Sequence, residues 1–188
     1  MICLFCKGPK HDIVKCPIEQ KLSKHIKEYI GIFMEDLIAH NIKCPECKKN
    51  KLKIVGDNTP SKDVVCKGCR QTFEIKSKCL SSDILPKDIT MHHGLYDNCI
   101  EQINKGLNFI FVIYAVDRLT NIITIREILY ASNFDINNLI YINPNIENTH
   151  SIISIPNRTK LNKISIGTRE INCTVMIDYL KKYHHFDN

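Results

Sequence analysis

The sequence predicts an α/β fold, and three stretches carry most of that prediction. Apolar residues recur every three or four positions across residues 17–41, which indicates a helix with one apolar face. Residues 108–116 form a continuous apolar run, typical of a central strand buried on both faces. Residues 72–78 alternate apolar and polar side chains, as a half-buried strand does. The chain of 188 residues, 44% of them hydrophobic, is long enough for one ordinary domain and a small appendage.

The remaining elements follow from shorter patterns. Strands are expected at residues 52–55, 63–66, 122–125, 151–155 and 163–166. Helices are expected at residues 91–105, with Leu95, Cys99, Ile100 and Ile103 facing inward, and at residues 169–182, which close the fold. The Asn- and Ile-rich stretch 133–148 contains a loop around Pro144.

Three residues with the chemistry of a hydrolytic site are predicted to converge around a turn. Glu74 and Lys76 lie two positions apart in the 72–78 strand, so their side chains leave the same face. Asp63 opens the preceding strand, and an intervening turn at Cys66–Cys69 would return Glu74 to its neighbourhood. The sequence therefore places two carboxylates and a lysine at one spot.

That combination suits hydrolysis of a phosphodiester. Asp63 and Glu74 are candidate ligands for Mg²⁺, which neutralises the scissile phosphate and activates water. Lys76 would stabilise charge that develops on the phosphate. The alternative is a solvent-facing strand with a Glu/Lys charge pair, because short strings of this kind are common in charged chains.

Two Cys-x-x-Cys pairs, one before this region and one inside it, have the interval of a zinc ribbon. Cys44, Cys47, Cys66 and Cys69 suffice for a tetrahedral four-cysteine zinc site. Disulfides are the alternative. The sequence has no secretory signal and no apolar span of about 18 residues, so we expect an intracellular protein, cytoplasmic or nuclear and not secreted, with reduced thiols and no membrane association.

The order of catalytic aspartate, cysteine pairs and Glu-x-Lys resembles the DpnI-like branch of the PD-(D/E)xK restriction endonucleases. The resemblance runs from Glu35-Asp36 to the Phe73–Lys78 strand. It implies a restriction-endonuclease-like mixed sheet flanked by helices over residues 44–188, with the zinc site inserted in the catalytic hairpin. It implies that Asp63, Glu74 and Lys76 are catalytic and that the Ile75 carbonyl joins Asp63 and Glu74 around Mg²⁺. The implied partner is duplex DNA, methylated or unmethylated, bound by a monomer or a transient dimer.

An N-terminal segment has the spacing of a CCHC zinc knuckle. Its ligands would be Cys3, Cys6, His11 and Cys16, giving two structural zinc ions in all, and a linking helix over residues 18–43 would join knuckle residues 1–17 to the core. Candidate nucleic-acid contacts in the knuckle are Phe5, Lys7, Lys10 and Lys15. The alternative is a zinc clasp that only caps the following helix.

Charge and composition leave two classes of function. The formal charge of +6 is mild, and the lysines concentrate in the first 90 residues, which favours a DNA-facing N-terminal half. One class is a Mg²⁺-dependent DNA endonuclease, and the other is a non-catalytic zinc-ribbon protein that binds nucleic acid. His92 and His93 lack partners at metal-ligand spacing and are expected on the surface or in satisfied positions, where DNA contact stays open. Gln102 is not diagnostic, and Cys99 and Cys173 are expected in the core rather than as nucleophiles.

Overall fold

The computed structural model describes residues 17–49, 51–55, 62–80, 84–117, 119–145, 150–166 and 170–184. Its four α-helices are α1 (Pro17–Asn41), α2 (Tyr96–Asn104), α3 (Asn133–Leu139) and α4 (Cys173–His184). Its strands are β1 (Leu52–Ile54), β2 (Val64–Cys66), β3 (Thr72–Leu80), β4 (Ile89–Leu95), β5 (Asn108–Asp117), β6 (Ile122–Ala131), β7 (Tyr141–Pro144), β8 (His150–Ile155), β9 (Asn162–Lys163) and β10 (Glu170–Asn172). A short 3-10 helix spans Arg158–Lys160. The predicted α/β class is confirmed.

The strands form one seven-stranded sheet and one three-stranded sheet. The large sheet has the order β1-β2-β3-β5-β6-β10, and β9 pairs with β6 beside that path. Its pairing is antiparallel except between β3 and β5, which run parallel from Phe73 and Asn108 onward. The small sheet has the order β4-β8-β7 and is antiparallel. The large sheet is therefore mixed.

A separate apolar core lies on each of the two faces of the large sheet. On one face, alternate β3 and β5 residues such as Ile75 and Ile110 pack with Met34 and Ile38 of α1. On the other face, Phe109 and Phe111 pack with the small sheet and with α2. Because Glu74 pairs with Phe109 and Lys76 with Phe111 in the parallel register, both charged side chains share this second face.

The long helix and the central strand agree with the sequence. Helix α1 has the predicted bounds, and its buried stripe at Ile30, Met34 and Ile38 is flanked by half-buried Phe33 and Leu37. Strand β5 is buried along most of its length, because sheet neighbours lie on both sides and a core lies on each face.

Two predicted helices are wrong at their N-terminal ends. Residues 91–105 begin as strand β4, where Ile89, Met91 and His93 alternate inward with period two, and turn into α2 only at Tyr96. Cys99 and Ile103 are buried as predicted, but Leu95, predicted to face inward, is exposed because it ends the strand before the helix begins. Within the predicted helix 169–182, residues Glu170–Asn172 form strand β10, and the helix starts after Asn172, whose side-chain oxygen accepts from the Thr174 amide.

Three further boundaries differ from the prediction. Residues 163–166 contribute only the end of the two-residue strand β9, and residues 164–166 have no regular structure. Strand β6 continues to Ala131, well beyond residue 125. In the stretch 133–148, a capping box between Ser132 and Asp135 begins helix α3. Pro144, where a loop was predicted, instead ends strand β7.

Within the described ranges, no helix has the length and apolar character needed to cross a membrane. The predicted knuckle, with Cys3, Cys6, His11 and Cys16, lies outside the described residues, as do Phe5, Lys7, Lys10 and Lys15.

Candidate active site and metal centre

The two Cys-x-x-Cys turns repeat one backbone geometry. Within each turn, the amide of the residue after the second cysteine donates to the carbonyl of the first: Lys48 to Cys44 and Arg70 to Cys66, both at 2.9 Å. Lys48 and Arg70 both adopt positive φ, near 60°. The hydrogen bond closes one tight turn around each pair, and both cysteines of a pair point to the same side of it.

The four sulfur atoms of these turns come together. All four Sγ atoms lie within 4.8 Å of one another, and the Cys44–Cys69 and Cys47–Cys66 pairs are each 3.6 Å apart. These distances exclude disulfides, whereas four sulfurs about 2.3 Å from a zinc ion stand about 3.8 Å apart. The Gly68 amide also donates to Cys66 Sγ, at 3.4 Å. The donor set and spacing fit a closed, tetrahedral zinc ion, as the sequence predicted.

Burial opposes ionisation of the Cys44 thiol in the absence of a metal ion. It raises the pKa of the Cys44 thiol to about 12, since a thiolate is costly in apolar surroundings. A bound zinc ion would reverse that balance, because its charge stabilises thiolates outright. Metal binding and deprotonation of the cysteines are therefore coupled.

The two Cys-x-x-Cys turns, residues 44–47 and 66–69, form the ribbon, and a polar network joins this ribbon to the rest of the fold. The Tyr130 hydroxyl of β6 donates to the Glu46 carboxylate, which lies between Cys44 and Cys47. Tyr130 also lies 3.4 Å from the Asn108 side-chain oxygen, which accepts from the Asn133 amide at 3.0 Å. The zinc turns are thus tied to the large sheet and to the start of α3.

The second cluster lies where β2 and β3 separate. Their ladder ends at the pairing of Val64 with Phe73, and just beyond it the Asp63 carboxylate accepts a hydrogen bond from the Ile75 amide, at 2.6 Å. In a strand, the N–H and C=O of one residue point to the same side, so the Ile75 carbonyl leaves β3 on the side where Asp63 lies. Asp63 is held in turn by its own amide, which donates to the Phe73 carbonyl at 3.2 Å.

Glu74 and Lys76 complete this cluster from the neighbouring positions of β3. Lys76 Nζ donates to Glu74 Oε1 at 2.5 Å. The Glu74 side chain is only 7% exposed and that of Lys76 is 24% exposed, so this pair differs from a solvated surface charge pair. The structure therefore brings Asp63, Glu74 and Lys76 together, with Ile75 between them.

The acidic groups repel one another electrostatically. Burial, followed by the nearby Glu74 carboxylate, raises the pKa of Asp63 to about 6. Helix α1 contributes a third carboxylate, Glu35, whose pKa rises to about 8, first through burial and then through the charge of Asp63. The sequence resemblance to the nuclease family includes Glu35 but implies no catalytic role for it. The cluster has more negative charge than Lys76 can neutralise.

One carboxylate oxygen of the cluster is left without a hydrogen bond. Glu74 Oε2 is buried and finds no donor among the described residues. A buried carboxylate oxygen left unpaired is costly, and such atoms are rare in folded proteins. An unpaired oxygen beside two further carboxylates and a backbone carbonyl is a donor set that suits a hard divalent cation. Asp63, Glu74 and Ile75 therefore fit the Mg²⁺ that the resemblance implies.

His93 is the residue that the sequence missed most clearly. We expected a surface or satisfied position, but its side chain is 5% exposed and Nδ1 lies 3.9 Å from Glu74 Oε1. Burial, and then the charge of Lys76, lowers the pKa of His93 to about 4. No local spacing signals this placement. The only sequence signal is that His93 continues the inward alternation of Ile89 and Met91. The neighbouring His92 is exposed.

Three of the described cysteines lie outside the four-cysteine cluster, in different surroundings. Cys99 is buried in the core between the two sheets, as predicted. Cys173 is half-buried at the start of α4 and Cys79 is exposed at the end of β3. All three are free thiols.

Fold and site define an α/β protein with a four-cysteine metal centre beside a buried acid–lysine cluster. The sequence pattern of one family, DpnI: Dam-replacing family, matches residues 15–186, and the chain belongs to that family. Membership indicates a restriction-type nuclease with DNA as its substrate. The matched residues include helix α1, the ribbon and both sheets.

Proposed function

We propose that this protein is a Mg²⁺-dependent DNA endonuclease of the type II restriction class, which hydrolyses phosphodiester bonds at the Asp63, Glu74 and Lys76 cluster. The observation that carries the proposal is the meeting of these side chains at the diverging end of β2 and β3, with Glu74 Oε2 unpaired among the described residues. Family membership supports the substrate class.

Each residue of the cluster has a distinct part in this proposal. Asp63, Glu74 and the Ile75 carbonyl would hold Mg²⁺, which neutralises the scissile phosphate and activates water when it is bound. Lys76 hydrogen-bonds Glu74 and is partly exposed, so its ammonium can reach from the carboxylate to a phosphate oxygen. Burial of Glu74 excludes water from one side of the cluster and strengthens these charge interactions.

The four-cysteine site would have a structural role. Its four sulfur donors would fill the tetrahedral shell of a zinc ion and leave no position for a substrate. A zinc ion there would fix the turn that leads from β2 to β3 and thereby hold Asp63 opposite Ile75.

We also propose that the N-terminal Cys3, Cys6, His11 and Cys16 bind a second zinc ion. Phe5, Lys7, Lys10 and Lys15 would then contact the nucleic acid. This part of the proposal rests on the cysteine and histidine spacing in the sequence.

Plasmid nicking tests the proposal. Purified protein with bound zinc is incubated with supercoiled plasmid under three conditions: added Mg²⁺, added Ca²⁺, and no added divalent ion. Methylated and unmethylated plasmids are compared. We expect nicking or linearisation in Mg²⁺ only. Plasmid binding without cleavage under every condition would instead support a non-catalytic zinc-ribbon protein.

A further inference from the structure

The side chain of His93 continues the inward alternation of strand β4 and lies beside an irregularity in that strand. The pairing of β4 with β8 runs regularly from Ile89 to His92, and its register then shifts before Leu95 pairs with His150. The Ser151 hydroxyl, fully buried, donates to the Gly94 carbonyl at 3.1 Å and fixes the chain within this irregular stretch. Such irregularities recur beside functional sites.

The imidazole is held by aromatic packing on the sheet. Its ring meets Phe109 edge to face, with centroids 5.5 Å apart, and Phe109 stacks on Phe111 at 5.6 Å. These two phenylalanines pair in register with Glu74 and Lys76, respectively. The histidine therefore lies over the part of the sheet that carries the charged pair, and its ring has little freedom to turn away.

A polar side chain at this position needs an explanation. Its inward neighbours on β4, Ile89 and Met91, are apolar and belong to the core between the sheets. Gln102 of α2 contacts the imidazole and favours its protonated form. His93 Nδ1 itself is buried and has no hydrogen-bond partner among the described residues, and the same is true of Glu74 Oε2. A residue selected only for packing would not leave a buried nitrogen unpaired, because that costs free energy.

We propose that His93 is a positioning residue, which holds the Glu74 carboxylate for divalent-metal binding through Nδ1. The 3.9 Å between Nδ1 and Glu74 Oε1 is longer than a hydrogen bond, so the proposed contact requires the carboxylate to rotate toward Nδ1 when the cation binds. Carboxylates that ligate metals are themselves hydrogen-bonded, and loss of such a partner weakens metal affinity by about 10–100-fold. The inference rests on the proposed Mg²⁺ site.

Calorimetric titration of Mn²⁺ into the zinc-loaded protein, without DNA, tests this role. Three variants are compared with the wild type. His93→Leu removes both nitrogens, His93→Asn retains an amide nitrogen near the position of Nδ1, and His92→Leu makes the same apolar change at the exposed neighbour. We expect affinity to fall about 10–100-fold in His93→Leu, to return to within a few-fold of wild type in His93→Asn, and to stay unchanged in His92→Leu.

The outcomes separate this inference from the function on which it rests. Unchanged affinity in a folded His93→Leu protein overturns the role of His93 and leaves the nuclease proposal standing. A wild-type isotherm that Glu74→Gln does not alter overturns the metal site itself. Where His93→Leu fails to fold, His93→Gln replaces it, because its nitrogen reaches the position of Nε2 rather than Nδ1. Wild-type affinity in His93→Gln would then overturn the proposal.

Discussion

The two candidate metal sites in this chain are assembled in opposite ways. At the ribbon, four donors from two local turns lie within 4.8 Å of one another. At the acid–lysine cluster, Asp63, Glu74 and Lys76 come from one diverging hairpin, whereas Glu35 and His93 arrive from distant elements. The ribbon offers a complete coordination shell, and the cluster leaves a buried carboxylate oxygen unpaired among the described residues. A complete shell suits a structural ion, and an incomplete one suits an ion that also meets a substrate.

The largest expected effect comes from breaking the ribbon. Cys66→Ser should remove zinc and destabilise the β2–β3 hairpin, because structural zinc contributes folding free energy, on the order of 10 kcal/mol in isolated zinc-finger peptides. Metal analysis and thermal unfolding measure both effects. Cys79→Ser, which changes an exposed cysteine outside the cluster, should retain zinc and melting temperature. Full zinc content and unchanged melting in Cys66→Ser would contradict the four-cysteine site.

A smaller effect is expected from deleting residues 1–16, which contain the predicted knuckle. If Lys7, Lys10 and Lys15 bind phosphates, duplex binding should weaken and its salt dependence should flatten, by about 0.9 in log–log slope for each phosphate that is no longer neutralised. Single-turnover cleavage at saturating protein should survive. Affinity measured across several salt concentrations checks this, and an unchanged slope would reduce the segment to a clasp.

The smallest effect concerns the pH dependence of stability before divalent metal is added. Because the pKa of Glu35 is about 8 in the folded protein, the folded state binds more protons than the unfolded state above the usual glutamate range. Stability should therefore fall as pH rises from 6.5 to 8, by less than about 1.4 kcal/mol per pH unit.

Measuring stability only between pH 6.5 and 8 separates the titration of Glu35 from that of Asp63 and His93. Asp63, with a pKa of about 6, acts in the same direction but mostly at lower pH. His93, with a pKa lowered to about 4, has the opposite sign, since its stabilising contribution is lost only as pH falls below 6.5. Urea unfolding of wild type and Glu35→Gln at several pH values measures the slope. An equal slope in both proteins would show that Glu35 does not titrate there.

The contrast between the two sites also explains how far the sequence predicts this molecule. The cysteine spacing and the Glu74/Lys76 alternation are local patterns, so the four-cysteine cluster and the shared face of β3 were predicted correctly. The parallel pairing of β3 with β5, which places Phe109 beside Glu74, joins segments that are distant in sequence. The buried position of His93 was not predicted, because the period of four from Leu95 onward indicates a helix where strand β4 lies. Its neighbour Glu74 also belongs to a different sheet.

Single-turnover cleavage by Lys76→Ala and Glu74→Gln tests the central claim most directly. The control is Lys105→Ala, because Lys105 also lies 2.5 Å from a glutamate but in an exposed ion pair with Glu101. With zinc content and melting temperature matched to wild type, we predict that Lys76→Ala and Glu74→Gln lose at least about 10²-fold in rate, while Lys105→Ala cleaves normally. Wild-type cleavage rates in either of the first two variants would contradict the assignment of this cluster as the active site.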